Sequence, residues 1–584
     1  MLELKDVSFT IDKDGEPIHL VNQASLNVPR GHFMAIVGPS GCGKTTLLNT
    51  IAGINPESDG SLWWEGRNLS EDEDLEPSEI GYVPQFSIAY EQLTIDESVE
   101  SATRLRIKTR NNAELDQRID RVLEESGLAG IADRTVKILS GGQKRRLGLA
   151  MELVSDPKLL LCDEVTSGLD PRSEREIVHL LHNLSRREGR TVISVTHSLA
   201  HLELYDSILV LHEGSVAYHG PPDQLNHYFS VDDTEEIYPA LAKQAGERWQ
   251  RSWNKHRDAY YETINERREE QIKEGMLMAP KTAALDLDDP EESASDQRSP
   301  GFLSQFATLL DRRWKIFFRD RGQVFLQLAI LLCFPILVTL FSEKGKDNIR
   351  KLSDTQEENL YLELKNKAAV HQDQLKTGSA VSGIIMFEVI LLALMGSNNS
   401  AREIASERNV FEKEKFGGLR PSSYLCSKIA FLGALILAQS LWMAFFVEFF
   451  WEFRGGPSGF ISHVLFLVLI NAAMTSICLG ISALARTAEQ ASLLSIYLVG
   501  FQLPLSGAVL ALPENIEAFT RPFISAYWAW SGSIDALQSN IYNAVKAVID
   551  TNLSMHQNCL YMLCTHVFIG LLAAWIGAYQ HRWD

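Results

Sequence analysis

The stretch Gly38-Pro39-Ser40-Gly41-Cys42-Gly43-Lys44-Thr45-Thr46 constrains this chain more than any other. It fits G-x-x-x-x-G-K-[ST], a loop whose successive backbone N–H groups surround the phosphates of a nucleotide. The glycines let the backbone curl close to the anion. Lys44 is expected to reach the β- and γ-phosphates, and Thr45 offers a hydroxyl to Mg²⁺. The flanks agree: Phe33-Met34-Ala35-Ile36-Val37 reads as a buried strand, and Thr46–Ala52 as a helix whose N-terminus faces the phosphates. A chance match in a chain this long has odds on the order of a few per cent, and the strand-loop-helix setting lowers them. The loop predicts binding of ATP or GTP. Cys42 lies beside a helix N-terminus, which lowers thiol pKa, so it is expected to be reactive; an inert small residue is the alternative.

Around the loop the chain reads as an α/β domain. Leu2–Phe9 and Ala24–Val28 alternate apolar and polar residues on either side of a turn-rich stretch, as antiparallel strands do. Gly81-Tyr82-Val83-Pro84-Gln85 is a short strand ended by proline, which places the Gln85 amide at its tip. Leu139-Ser140-Gly141-Gly142-Gln143-Lys144-Arg145-Arg146 runs directly into a helix. Its serine hydroxyl, free N–H groups and helix dipole make a second anion site; an isolated serine there would only be an N-cap. Lys158–Glu164 is a buried strand ending in two acids at its carboxyl end, where α/β sheets hold ligands. Asp163 suits Mg²⁺ through water, and Glu164 suits a general base on the attacking water. Ser167-Gly168-Leu169-Asp170 forms a tight turn, and the strand Thr191–Thr196 ends at His197.

Phosphate loop, Gln85, Leu139–Gln143, strand-Asp-Glu, Asp170 turn and His197 come in an order that resembles the nucleotide-binding domain of ABC transporters, over about residues 1–230. The resemblance implies that Gln85 helps hold Mg²⁺ and couples the nucleotide to a membrane domain, and that His197 contacts the γ-phosphate. It also implies that Ser140, Gly141, Gly142 and Gln143 contact ATP held by a partner subunit. Ile11 stands where the family places an adenine-stacking aromatic, with His19 as a displaced substitute.

The net charge of −20 argues against a nucleic-acid partner. The seven cysteines show no metal-ligand spacing and no disulfide framework. Met1–Lys5 runs straight into a strand pattern, so no cleavable signal peptide is expected and the N-terminal half reads as cytoplasmic. After the ATPase (1–240) comes a linker (241–300): over 241–274 a charged, solvated amphipathic helix rich in Arg, Glu, Trp and Tyr on the edge of the ATPase, then an acidic tether at 286–299. Residues 301–322 suggest an amphipathic helix on the membrane face, with Arg312, Arg313, Lys315 and Arg319 toward the anionic leaflet. The remainder, 323–584, carries six apolar runs, roughly 323–341, 380–397, 423–451, 460–485, 489–511 and 558–580, each long enough to span about 30 Å of hydrocarbon. Basic residues before the first run put its start inside, and an even count returns the C-terminus, Gln580-His581-Arg582, to the cytoplasm. A charged external loop is expected at 343–378, and a charged hairpin at 402–420 that meets the ATPase.

An ATPase followed by six spans is similar to the G-subfamily half-transporters of the white and pleiotropic-drug-resistance type. Arg402-Glu403-Ile404, Ser422-Ser423-Tyr424 and Leu505-Ser506-Gly507 support that likeness. The fold class expected is an α/β P-loop ATPase followed by an all-α transmembrane domain of six helices. The resemblance implies ATP and Mg²⁺ as cofactors, and a homodimer or a dimer with a related half-transporter. It also implies movement of a hydrophobic or amphipathic substrate (lipid, sterol or drug-like) through a membrane, outward as an exporter. A membrane-anchored ATPase that regulates a partner is the rival reading. Glu388 is a lone acid about 12 Å down the second span, at 1.5 Å per residue. It either hydrogen-bonds a neighbouring span, through Gln502 or Asn471, or lines a substrate path with Gln502.

Overall fold

The computed structural model describes all residues except 14, 72–74, 86–88, 187–188, 274–298, 343–359, 452–455, 509–512 and 581–584. The expected tether, the first half of the 343–378 loop and the C-terminal His581-Arg582 therefore lie outside the described residues. The chain divides into two compact units. The first comprises Met1–Thr308 and Lys413–Leu419, the second Leu309–Glu412 and Arg420–Arg582.

In the first unit, β1 (Leu2–Lys13) and β2 (Glu16–Val28) pair antiparallel as a hairpin. With β4 (Asp59–Trp64) and β5 (Arg67–Asn68) they form a sheet in the order β2-β1-β4-β5. The larger sheet uses β3 (Phe33–Val37), β6 (Ile80–Val83), β7 (Leu159–Asp163), β8 (Thr191–Val195), β9 (Ser207–His212) and β10 (Ser215–Gly220). Its order is β10-β9-β3-β8-β7-β6, with all neighbours parallel except β9 and β10. Every residue of β3, β7 and β8 is buried, which is why these strands read as unbroken apolar runs rather than alternating ones. Parallel register puts the carboxyl ends of β3, β6, β7 and β8 on one edge. The phosphate loop, Gln85, the Asp163-Glu164 pair and His197 all follow strands at that edge.

The helix Gly246–Lys273 is amphipathic and packs along the edge of this unit. Trp253 and Ile264 are buried, and Trp253 and Tyr260 pack with Tyr218 and Tyr228 in an aromatic cluster over β10. A few large rings fix a helix whose other residues are mostly charged. Lys413–Leu419 also belongs to this unit: Lys413 Nζ lies 3.0 Å from buried Glu152, which Arg106 meets at 2.7 Å. Burial alone would raise the Glu152 carboxyl's pKa, but Arg106 and Lys413 together hold it below the usual range.

The second unit is helical. Among the described residues five stretches are long and apolar enough to cross a membrane: Arg321–Leu340, Gln374–Phe416, Pro421–Phe450, Ser458–Leu484 and His556–Tyr579. The fifth expected run, 489–511, gives a helix of only 15 residues, Ala488–Gln502, followed by the turn Pro504–Ser506. Pro504, which lacks a backbone N–H, follows one residue after the helix end. The second half of the expected external loop is not loop: residues 360–378 begin the long helix Leu360–Ser400. The helix Phe302–Arg319 forms as expected, but its basic residues are not all free for a lipid leaflet. Arg312 and Arg313 are buried, and Arg313 takes Glu403 bidentately at 2.6 and 2.9 Å.

Helices Gly456–Leu484 and His556–Tyr579 approach closely through small residues. A side chain at Gly570 would meet the Ser476 backbone at 2.4 Å, and one at Gly577 would meet Ala483 at 2.7 Å. Buried amides tie four helices together: Gln327 to Asn399 (2.7 Å), Asn399 to Gln439 (3.0 Å) and Asn471 to Gln439 (3.2 Å). Such groups need partners where water is absent.

Candidate nucleotide site

The loop between β3 and the helix Lys44–Ile51 has the geometry an oxyanion cradle needs. Gly43 caps the helix at φ +100°, a conformation that strains other residues, and a Cβ there would lie 2.2 Å from the Leu20 carbonyl. Gly38 is equally closed to side chains, since a Cβ would lie 2.3 Å from the Leu211 carbonyl. Ser40, Gly41 and Thr45 are exposed, Pro39 and Thr46 partly so. Lys44 Nζ donates to the carbonyls of Gly38 and Pro39, each at 3.0 Å, so its ammonium sits over the loop.

Thr45 Oγ1 donates to Asp163 Oδ1 at 3.0 Å. A hydroxyl and a carboxylate so placed are hard oxygen donors of the kind Mg²⁺ takes, and the loop beside them suits the phosphates that complete its shell. Burial pushes the Asp163 carboxyl up to about 6; the Thr45 hydrogen bond and the charges of Lys44 and His197 oppose this, while Glu164 adds to it.

Glu164 is the point of convergence. Its Oε2 accepts from Gln85 Nε2 at 2.7 Å, and its Oε1 lies 2.5 Å from His197 Nε2. Three residues far apart in sequence thus meet because β6, β7 and β8 end on the same edge. Glu164 itself sits at φ +47°, with its N–H bonded to the Val195 carbonyl at 3.1 Å. A non-glycine residue in that conformation is held there by its surroundings. Gln85, Asp163, Glu164, His197 and the phosphate loop are brought together.

Ser140, Gly141, Gly142 and Gln143 occupy a different place. Ser140 caps the helix Gly141–Leu153: its Oγ accepts from the Gln143 N–H at 3.3 Å, and Gln143 Oε1 accepts from the Ser140 N–H at 3.1 Å. The ordinary N-cap role is therefore present, while Ser140 and Gly141 remain exposed. Thr10 Oγ1 and His19 Nδ1 lie 2.8 Å apart across the β1–β2 hairpin, which places His19 one register position from Ile11.

Two expectations need correction. Cys42 is buried, and burial pushes its thiol up despite the Lys44 charge, which favours the inert small residue over the reactive thiolate. Glu388 and Gln502 are buried as well, and neither lines the cavity of about 460 Å³ in the second unit. Glu388 pairs with buried His463 of helix Gly456–Leu484 at 3.0 Å, and Gln502 Oε1 accepts from the Ala526 N–H at 3.0 Å. The hydrogen-bonded reading of Glu388 stands, with a partner other than those expected; Asn471 turns to Gln439 and Ser440 instead. Sequence reasoning also missed Tyr82, whose hydroxyl donates to Asn49 of the phosphate-loop helix at 2.9 Å while its ring packs edge-on to Phe416. A buried tyrosine three residues before Gln85 was the available signal.

Comparison with known proteins agrees with this geometry. The family model described as ABC transporter matches residues 21–167, and the one described as ABC-2 type transporter matches residues 304–542. An ABC transporter ATP-binding/permease protein of Mycobacterium tuberculosis is 28% identical over 545 residues, covering 91% of this chain and 57% of that relative. The chain thus spans little more than half of that relative's length. A methionine import ATP-binding protein of Symbiobacterium thermophilum is 34% identical over 252 residues, covering 40% of this chain and 74% of the relative. A solved ATP-binding cassette, described as a dimer in a post-hydrolysis state with ADP and Pi, is 29% identical over 38% of this chain and 99% of its own, with a TM-score of 0.35. This chain belongs to the ABC transporters, as a multi-pass membrane protein that joins a cytoplasmic ATP-hydrolysing domain to an ABC-2 type membrane region.

Proposed function

We propose that the chain is a half-transporter of the G-subfamily type that works as a dimer, with ATP and Mg²⁺ shared between two copies. The observation that carries this reading is the exposed Ser140 helix start, paired with a single phosphate loop per chain. One chain supplies one phosphate loop and one Ser140 helix start, and Ser140 and Gly141 are exposed, open to a nucleotide held by another copy. A two-fold pair of chains would complete two sites. In that arrangement Glu164 acts as the base on the attacking water, oriented by His197 and Gln85, and Thr45, Asp163 and Gln85 hold Mg²⁺, partly through water. Ser140, Gly141, Gly142 and Gln143 bind the partner's ATP.

The membrane half would cross six times, with the short helix Ala488–Gln502 and the turn after it as the fifth crossing and both termini cytoplasmic. A cavity of about 460 Å³ supports an apolar or amphipathic cargo such as a lipid, sterol or drug-like molecule. Met386, Phe387 and Ile390 line it together with Ser379, Ser382 and Asp550. Outward movement is the direction proposed.

Purified protein in vesicles, offered fluorescent phospholipid or sterol with ATP, tests the reading. ATP-dependent movement that the Lys44→Ala variant lacks is expected. ATP turnover without movement of any such probe would favour an ATPase that regulates a partner.

A further inference from the structure

The first unit holds a cavity of about 590 Å³ that none of the nucleotide residues lines. Leu199, Leu202 and Leu204, from the segment after His197, make one part of its wall. Ile264 and Arg268 of the helix Gly246–Lys273 make another, with Asp206 between β8 and β9. Its volume is that of a small-molecule site, roughly 300–1,000 Å³.

The charges lining it do not cancel locally. Asp206 is fully engaged: Arg186 takes it bidentately at 2.7 and 3.1 Å, and the Phe33 N–H donates to it at 2.9 Å. Asp223 is held the same way by Arg267, at 2.9 and 2.8 Å. Glu203, the remaining acid, is largely exposed and faces His201 at 3.8 Å. Arg268 is left over. Its Nε is buried and has no hydrogen-bond partner among the described residues. Burial disfavours its charge, which Asp206 at a distance only partly restores. The Arg268 guanidinium lines the cavity and has no ion pair among the described residues, and a carboxylate or phosphate oxygen is the partner that suits it best. Burial also keeps His32 and His182 below their ordinary pKa, so neither adds a second positive charge.

We propose that this cavity binds a small amphipathic anion, a carboxylate or phosphate monoester whose oxyanion meets Arg268 and whose apolar body lies along Leu199, Leu202, Leu204 and Ile264.

Calorimetry on the full chain in nanodiscs tests this, with the phosphate loop saturated by a non-hydrolysable ATP analogue and Mg²⁺. Phenyl phosphate is the probe; inorganic phosphate and phenol supply its two halves. Saturable binding of one phenyl phosphate per chain is expected, with each half binding about tenfold more weakly or worse. Arg268→Gln should weaken phenyl phosphate about tenfold or more, the scale of a charged hydrogen bond, with an unchanged unfolding midpoint. Arg268→Lys, which restores the charge, should recover part of that loss. Absence of saturable binding, or equal affinity in Arg268→Gln, would overturn the site. Inorganic phosphate binding as tightly as phenyl phosphate would overturn its amphipathic character.

Discussion

Glu164 shows how one residue can be specified by several strands. Its side chain is held between Gln85 and His197 while its backbone is kept at φ +47°, so the carboxylate is fixed before any water arrives. Pre-positioning of this kind suits a general base, whose loss costs ~10²–10⁴-fold in rate. Glu164→Gln is nearly isosteric and should lower ATP turnover by that factor while leaving nucleotide binding intact. Turnover near the unsubstituted rate would remove Glu164 from the base's role. Buried histidines give a second prediction at this scale. His32 Nε2 lies 2.8 Å from Ser207 Oγ, which lies 3.2 Å from His219 Nε2, and Tyr261 closes the line at 3.1 Å. Burial lowers the pKa of both imidazoles, that of His219 to about 3, with the His32 charge adding to the effect. Because the folded pKa values are depressed, their stabilising contribution is full above about pH 6.5. It falls as the pH drops below that value, where only the unfolded chain takes up protons. Unfolding midpoints measured between pH 7.5 and 5 should therefore decline, and less steeply in His219→Gln.

At the scale of elements, the local signals in the sequence were strong wherever a function or a period repeats. The phosphate loop, the strand ending in Asp163-Glu164 and the helix start at Ser140 each have a residue pattern that admits one local structure, and the structure has it. Partnerships across elements were not legible. Nothing in the run around Glu388 points to His463, because helical periodicity gives a face but not the neighbour that covers it. For the helix Gly246–Lys273 the amphipathic pattern is legible, but not that Trp253 and Tyr260 pack on Tyr218 and Tyr228. The run 489–511 is apolar along its length, yet the helix stops at Gln502 where proline follows, a local rule that hydropathy overlooks. Glycines carry the clearest test of the helix packing. Gly570→Ala would place a methyl 2.4 Å from the Ser476 backbone, whereas at Gly383 nothing lies within 4 Å. The first substitution should destabilise the membrane unit by roughly 1–3 kcal/mol, the usual cost of overpacking, and the second should be close to neutral. Equal unfolding midpoints for the two variants would contradict the close approach of Gly456–Leu484 and His556–Tyr579.

For the whole molecule, the central claim is that two chains build each catalytic site together. The phosphate loop, Glu164 and His197 lie on one edge of one sheet, and Ser140 stands apart at the exposed head of its own helix. Shared sites make hydrolysis depend on approach of the two copies, which is what would couple turnover to the membrane half. A covalently linked dimer in the Glu164→Gln background, where bound ATP should persist, tests this directly. Ser140→Arg and Lys44→Ala are placed either on the same chain or on opposite chains, and occluded ATP is counted per dimer. On the same chain the two changes damage different shared sites, so no ATP should be occluded. On opposite chains both fall on one site and the other survives, so one ATP should be occluded. Equal occlusion in the two arrangements would contradict the sharing of sites between subunits.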